Sequence, residues 1–338
     1  ATGMSITLGY HRMMSHQSFK AAWPVRFGTL VFGAAAFQQS ALLWASEHRR
    51  HHKFVDHDKD PYDITRGFFH AHIGWLLFQE QPDEPTDNVK DLRRDALVMW
   101  QHRNYLPIAF AASFGLPALL GGLHGGWVGA LGGFLLAGVT RLALVHHSTF
   151  FINSLCHTLG RQPYSSRCSA RDSAVMAFLT FGEGYHNFHH EFQHDYRNGV
   201  KPWHFDPTKW AIWALNKVGL ASDLRRLPDE KILHAETAER QRRLDERIET
   251  SAPAHLTESV LANWNAAKSR LQEAYHHWEQ REAEYRRALE KKLEISRERL
   301  AELRREWQDA RAAFRLSIRE WSETHQLILS HFTAPAAA

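Results

Sequence analysis

YLPIAFAASFGLPALLGGLHGGWVGALGGFLLAGVT, residues 105–140, contains no Asp, Glu, Lys or Arg. As one helix its 36 residues would run about 54 Å, against roughly 30 Å of bilayer hydrocarbon. The GGLHGG run at 121–126 supplies the break, because glycine is a poor helix interior and a good turn. The stretch predicts two short apolar helices joined by a tight loop, the second continuing through Arg141 to about Phe151. A membrane hairpin spanning about 105–151 fits this length and lack of charge. A buried hairpin of a soluble protein is the alternative.

The flanking charges favour the membrane. Arg93, Arg94 and Arg103 precede the hairpin, Arg161 and Arg167 follow it, and the loop between carries none. Cations gather on the cytoplasmic side, so both flanks belong there. Groups before and after the hairpin can then meet.

Those groups are histidines. Of 24 in the 338-residue chain, 18 lie within residues 1–206. Three clusters stand out: HRMMSH (His11, His16), EHRRHH (His48, His51, His52) and YHNFHH (His186, His189, His190). In the last two, spacings of three and four residues put the imidazoles on one helical face. Eight imidazoles brought together are costly if they protonate, and a divalent cation requires them all neutral. Imidazole suits zinc, copper, iron and nickel. Eight ligands are too many for one zinc and enough for two metals. With only Cys156 and Cys168, thiolate zinc spacing and a disulfide framework are both excluded. A reducing compartment is the default.

Net charge is +4, all of it in residues 1–220, where 20 Lys and Arg face 16 Asp and Glu. This mild bias suits a membrane surface or an acidic head group and gives no case for nucleic acid. Residues 27–46 are also uncharged, but Gln38-Gln39-Ser40 interrupts them. A second spanning helix there would separate His11 and His16 from His48. An interfacial helix, or one packed under the catalytic part, is expected instead. Residues 221–254 read as a linker. Residues 255–330 carry Leu293, Leu300, Trp307, Phe314 and Trp321 at seven-residue intervals among charged residues. That pattern is a long amphipathic helix or coiled coil, capable of self-association or of packing on its own domain.

The boxes HRMMSH, EHRRHH and GEGYHNFHH, with an apolar hairpin between the second and third, resemble the membrane-bound acyl-CoA Δ9 fatty acid desaturases. GYHRMMSHQSFKA, HHKFVDHDKDPYD, RGFFHAHIGWLL, GRQPY, HHEFQHDYRNG and FDPTKW resemble that family too, over roughly residues 4–220. The resemblance implies a mainly α fold: an integral-membrane helical bundle under a cytosolic cap in residues 1–220, here followed by the helical tail. It implies an O₂-dependent di-iron enzyme that places a cis double bond in a saturated fatty acyl chain. Its two iron ions would be held by His11, His16, His48, His51, His52, His186, His189 and His190. NSLCH at 153–157 matches the family's NxxxH segment and implies His157 as a ninth imidazole and Asn153 as holder of a metal-bound water. Gln38, Trp44, Trp75 and Thr149 fall where the family lines and bends its acyl tunnel. His57, His70, His72, His146, His147 and His194 lie off the ligand positions and are expected to be neighbours. Glu183, Glu191, Asp60 and Asp63 flank the boxes and can orient imidazoles or cap helices.

The implied partners are fatty acyl-CoA or another acyl carrier, O₂, a lipid membrane and an external electron donor such as cytochrome b5 or ferredoxin. The tail has no HPGG-type haem segment. The location expected is a bacterial inner membrane or the endoplasmic reticulum, with the site on the cytoplasmic side. Two departures from the family stand out. Only ATGMSITLGY precedes the first box, so the N-terminal pair of membrane helices is expected to be incomplete. Ser46-Glu47 also replaces an Arg-Asp pair that many animal members use against coenzyme A. Related readings of the same boxes are a membrane lipid hydroxylase and a non-catalytic metal-binding scaffold.

Overall fold

The computed structural model describes residues 1–78, 86–253, 256–290 and 295–333. The chain divides into two compact units, Ala1–Leu227 and Pro228–Ala338.

In the first unit the apolar stretch continues into a 53-residue run, Tyr105–His157, the one run among the described residues long and apolar enough to cross a membrane. Gly125 leaves helical geometry and Gly126 takes φ +57°, so the run folds into two arms. The arms approach closely because glycines face backbone. A Cβ on Gly121 would stand 2.1 Å from the Gly129 carbonyl oxygen. Small residues of this kind let helices pack without side-chain burial. The outer faces are bare hydrocarbon, with Leu123 77 % and Trp127 76 % exposed. Arg141 in the second arm donates 2.8 Å to the Ala35 carbonyl and also bonds Ser113, which anchors the hairpin to the rest of the unit.

The first box lies on Ser5–Ser15, which is π-wound. Helix Trp23–Ala34 starts with Pro24 in its first turn and packs across it. Contact there is backbone-close, since a Cβ on Gly33 would meet the Tyr10 ring at 2.4 Å. At Phe37 and Gln39 φ turns positive, +53° and +69°, and the chain enters helix Ala41–Phe54, capped by the Ser40 hydroxyl. Residues 27–46 are thus two helix parts with a bend and not one spanning segment. The core includes Ile6, Leu8, Tyr10, Leu30, Leu42, Val98 and Ile212. Each such side chain contributes roughly 1.5–3 kcal/mol on burial. Among the described residues, strands are confined to a two-residue antiparallel pair, Lys20–Ala21 with Ala221–Ser222.

The second unit corrects two expectations. The stretch 221–254, expected as a linker, contains the 23-residue helix Asp229–Ser251. Few apolar residues mark it, and it is supported by ion pairs one turn apart, Arg240–Glu236 and Arg243–Glu239. The tail is two helices, Glu258–Glu290 and Arg297–Thr333, and not one. They run antiparallel: Trp264 meets Trp321, and Tyr275 and Trp278 meet Phe314. The heptad stripe is consumed inside this unit, with Phe314 and Trp321 at most 1 % exposed. Leu293 lies outside the described residues. Helix Asp229–Ser251 covers part of the pair, with His234 stacked on Tyr275 at 3.6 Å and Asp245 accepting from the Trp264 indole at 2.7 Å.

Candidate metal centre and adjoining cavity

The two histidines of the first box are five positions apart. On an α-helix that spacing puts His11 and His16 about 140° apart. The π-winding corrects this: the His16 amide donates to the His11 carbonyl at 3.1 Å, so the two rings lie on one side and meet edge to face, centroids 4.8 Å apart. The second box sits on helix Ala41–Phe54 and the third on the short helix His186–Glu191. His157 closes a single turn, Leu155–His157, at the end of the second hairpin arm.

These elements bring all nine histidines together in two groups. His11, His16, His48, His52 and His189 form one; His51, His157, His186 and His190 form the other. Each box is divided: the second gives His48 and His52 to one group and His51 to the other, and the third gives His189 to one and His186 and His190 to the other. In the first group Nε2 atoms stand 2.8 Å apart for His16–His48 and 2.9 Å for His11–His189 and His52–His189. In the second they stand 3.0 Å apart for His157–His186 and His186–His190, and 3.2 Å for His51–His190.

The far nitrogens explain this convergence. Nδ1 of His11 faces Glu183 at 2.9 Å, Nδ1 of His51 faces Asp60 at 2.8 Å, and Nδ1 of His157 faces the Ser169 hydroxyl at 2.7 Å. Ser169 in turn donates to Asp56, so its oxygen accepts from His157. An acceptor on Nδ1 places the proton there and leaves Nε2 with an inward lone pair. Lone pairs crowded at 3 Å repel unless a cation sits among them. Burial first, then neighbouring imidazoles, hold His16, His48, His52, His186, His189 and His190 well below the ordinary histidine value. Neutral imidazoles are the ligand form. Nitrogens about 2.1 Å from a metal stand about 3.0 Å apart at right angles and about 3.4 Å apart at the tetrahedral angle. The observed spacings match the right-angled case, and five nitrogens in one group exceed a tetrahedral set. The residues fit two transition metals better than one structural zinc.

Supporting residues missing from the sequence reading surround the groups. Arg12 is buried and donates to Glu183 at 2.9 Å, to Asp206 at 3.0 Å and to the Tyr196 carbonyl at 2.9 Å. Burial opposes its charge, but Asp206 and Glu183 more than offset this and raise it above the usual arginine value. Burial likewise pushes the Glu183 carboxyl up, while His11 and Arg12 bring it below the ordinary range. Asp206 also accepts from the amides of Asn198 and Gly199. Glu183 is marked by its place beside the third box, but no sequence spacing links it to Arg12 and Asp206, which only the fold reveals. Of the flanking carboxylates, Glu183 and Asp60 face imidazoles. Asp63 caps the amide of Thr65, and Glu191 pairs with Arg167 at the surface. His194 donates to the His16 carbonyl, His146 to that of Ala36, and His72 pairs with His147 and Ser154.

A cleft of about 1040 Å³ of atom-free space adjoins both groups. Its wall includes His11 and His48 from one group, His51 and His186 from the other, and all of Gln38, Trp44, Trp75, Thr149 and Asn153. Trp44 stacks on His48, with centroids 4.8 Å apart. Gln38 donates to the Thr149 hydroxyl at 2.9 Å. Asn153 sits one turn before His157 on the same arm. Ser46 and Glu47 are engaged internally: Ser46 donates to Asn88 at 2.6 Å, and Glu47 accepts from Gln39 at 2.7 Å and Tyr62 at 3.3 Å. Burial raises the Glu47 carboxyl above its ordinary value.

Known proteins are similar to this chain in sequence. The fatty acid desaturase family profile matches residues 1–219. The chain is 43 % identical over 245 residues to a probable acyl-CoA desaturase of Schizosaccharomyces pombe, covering 72 % of this chain and 51 % of that protein. It is 40 % identical over 246 residues to acyl-CoA desaturase 1 of Saccharomyces cerevisiae, covering 72 % and 48 %. Human stearoyl-CoA desaturase is 36 % identical over 236 residues, 69 % and 66 % of the two chains. The chain thus spans about half the length of the two yeast relatives. The profile match falls on the unit that carries both imidazole groups and the cleft, and the chain belongs to the fatty acid desaturase family.

Proposed function

We propose that this protein is an O₂-dependent desaturase that removes two hydrogens from a mid-chain position of a saturated fatty acyl group, as a coenzyme A thioester, leaving a cis double bond at Δ9. The observation that carries the reading is the cleft wall, where aromatic side chains alternate with imidazoles of both groups. A chain lying there faces both centres at once. Two iron ions, one per imidazole group, would supply O₂ activation and hydrogen-atom abstraction when bound. The five-nitrogen set is His11, His16, His48, His52 and His189; the four-nitrogen set is His51, His157, His186 and His190, with Asn153 beside it to hold a water.

The chain's own work is positional. Glu183, Asp60 and Ser169 keep the ligand lone pairs inward. Trp44, Thr149 and Gln38 form a wall that bends the substrate, which selects the carbon presented. Apolar lining keeps bulk water out. The hairpin would cross the membrane twice and return both flanks to the cytoplasmic side of a bacterial inner membrane or the endoplasmic reticulum. Electrons would come from a separate donor such as cytochrome b5 or ferredoxin. Hydroxylation is the second reading, because both reactions begin with the same hydrogen abstraction in the same cleft.

Expression in a desaturase-deficient host, with fatty acids profiled by mass spectrometry, tests this. Wild type should restore monounsaturated acyl chains and His189→Ala should not. Hydroxylated products would select the second reading, and unchanged saturated lipid with wild type would sink the enzymatic one.

A further inference from the structure

Three buried polar atoms on residues of the cleft wall have no hydrogen-bond partner among the described residues: Nδ1 of His186, a member of the four-imidazole group, and, outside the imidazole groups, Oε1 of Gln38 and Nε1 of Trp75. The latter two differ in what can satisfy them. Gln38 is oriented by its donation to Thr149, whose own hydroxyl hydrogen goes to the Val145 carbonyl at 3.1 Å. Its free oxygen therefore wants a donor. The Trp75 indole nitrogen is a donor only and wants an acceptor. Its ring lies edge-on between Tyr62, centroids 4.8 Å apart, and Phe150, 6.1 Å apart. Phe150 has no acceptor, and the Tyr62 hydroxyl is turned to Glu47.

A saturated acyl thioester brings no donor into such a cleft and one good acceptor, its carbonyl oxygen. It can satisfy Trp75 and cannot satisfy Gln38. We propose that Trp75 is a positioning residue whose indole N–H holds the carbonyl of the bound acyl group, so that the carbon count from that anchor to the imidazole groups sets where the double bond falls. This rests on the acyl-substrate reading above. The scale is suitable. Tyr62 stands between Trp75 and His51, 5.4 Å from the latter, which puts the indole at most about 10 Å from the nearer imidazole group. An extended chain advances about 1.2 Å per bond, so at most about eight bonds lie between a carbonyl held at Trp75 and that group, within reach of a mid-chain carbon.

The test uses the purified full chain and two probes, stearoyl-CoA and its thioether analogue S-octadecyl-CoA, which has a methylene in place of the carbonyl. Direct binding should favour the thioester by about three- to tenfold in wild type. In Trp75→Phe the thioester should weaken by that factor, the thioether should hold its affinity, and the preference should fall to about one. Desaturation by Trp75→Phe should also spread the double bond over neighbouring carbons, an outcome that a merely structural role would not give. Equal binding of both probes by wild type overturns the inference without any variant having to fold, and so does a preference that survives in Trp75→Phe. Failure of wild type to bind either probe overturns the acyl-substrate reading and the inference with it.

Discussion

Ser169→Ala removes one hydroxyl and should unseat one of two metals. The His157 ring is 4 % exposed, and its Nδ1 finds the Ser169 oxygen at 2.7 Å. Without that oxygen a buried N–H loses its acceptor, at a cost of about 1–3 kcal/mol. Loss of such outer support for metal-bound histidines lowers metal affinity about 10–100-fold, or about 1.4–2.7 kcal/mol, so two independent estimates agree. The Asp56 carboxylate keeps the Ser169 amide at 2.6 Å, and the loop should hold its path. Anaerobic ferrous titration against a competing chelator measures both sites. His190→Ala marks the loss expected at the four-imidazole group, and His189→Ala the loss expected at the five-imidazole group. Ser169→Ala should weaken iron in the His190→Ala pattern, by about 10–100-fold. Wild-type affinity for both irons, or loss in the His189→Ala pattern, would refute the reasoning.

Two further outcomes follow from the same geometry. Six histidines have folded values held below their ordinary one by burial and by each other, so an unfolded chain takes up more protons in acid. Their stabilisation is present above about pH 6.5 and is lost as pH falls, by up to about 1.4 kcal/mol per pH unit for each that must stay neutral. Metal-free protein should therefore melt at steadily lower temperature from pH 7.5 to 5.5, and a flat profile would contradict the neutral-imidazole assignment. Arg12→Met leaves Glu183 and Asp206 buried without their cation, which should cost about 3–5 kcal/mol and lower Tm by roughly 10 °C. An unchanged melt would show that those carboxylates find other partners.

The features legible in the sequence were those with short-range periodicity. The hairpin announced itself by a charge-free run and a glycine break, and the second and third boxes by three- and four-residue spacing. What escaped depends on contacts far apart along the chain. The division of His48 and His52 from His51 is set by where helix His186–Glu191 lies, which no local spacing encodes. His157 reads as an ordinary polar residue until Ser169 and His186 are placed beside it. Arg12, Glu183 and Asp206 converge only in space. In the tail the heptad was visible, but its division into Glu258–Glu290 and Arg297–Thr333 was not. Helix Asp229–Ser251, rich in charge, carries too few apolar residues to be seen as more than a connection.

The π-wound segment Ser5–Ser15 gives the HRMMSH spacing a different meaning. A π turn is an α turn with one residue too many. His11 and His16 share a metal-facing side because of that surplus residue, and in ordinary α winding the pair would splay by about 140°. Deleting one residue between them would let the backbone relax into its preferred form and still leave both imidazoles on one face, four apart. Inserting one would do the reverse and point His16 away. The interval between the two histidines is therefore a record of how the backbone is wound, and a search by α-helical spacing alone would pass over this pair.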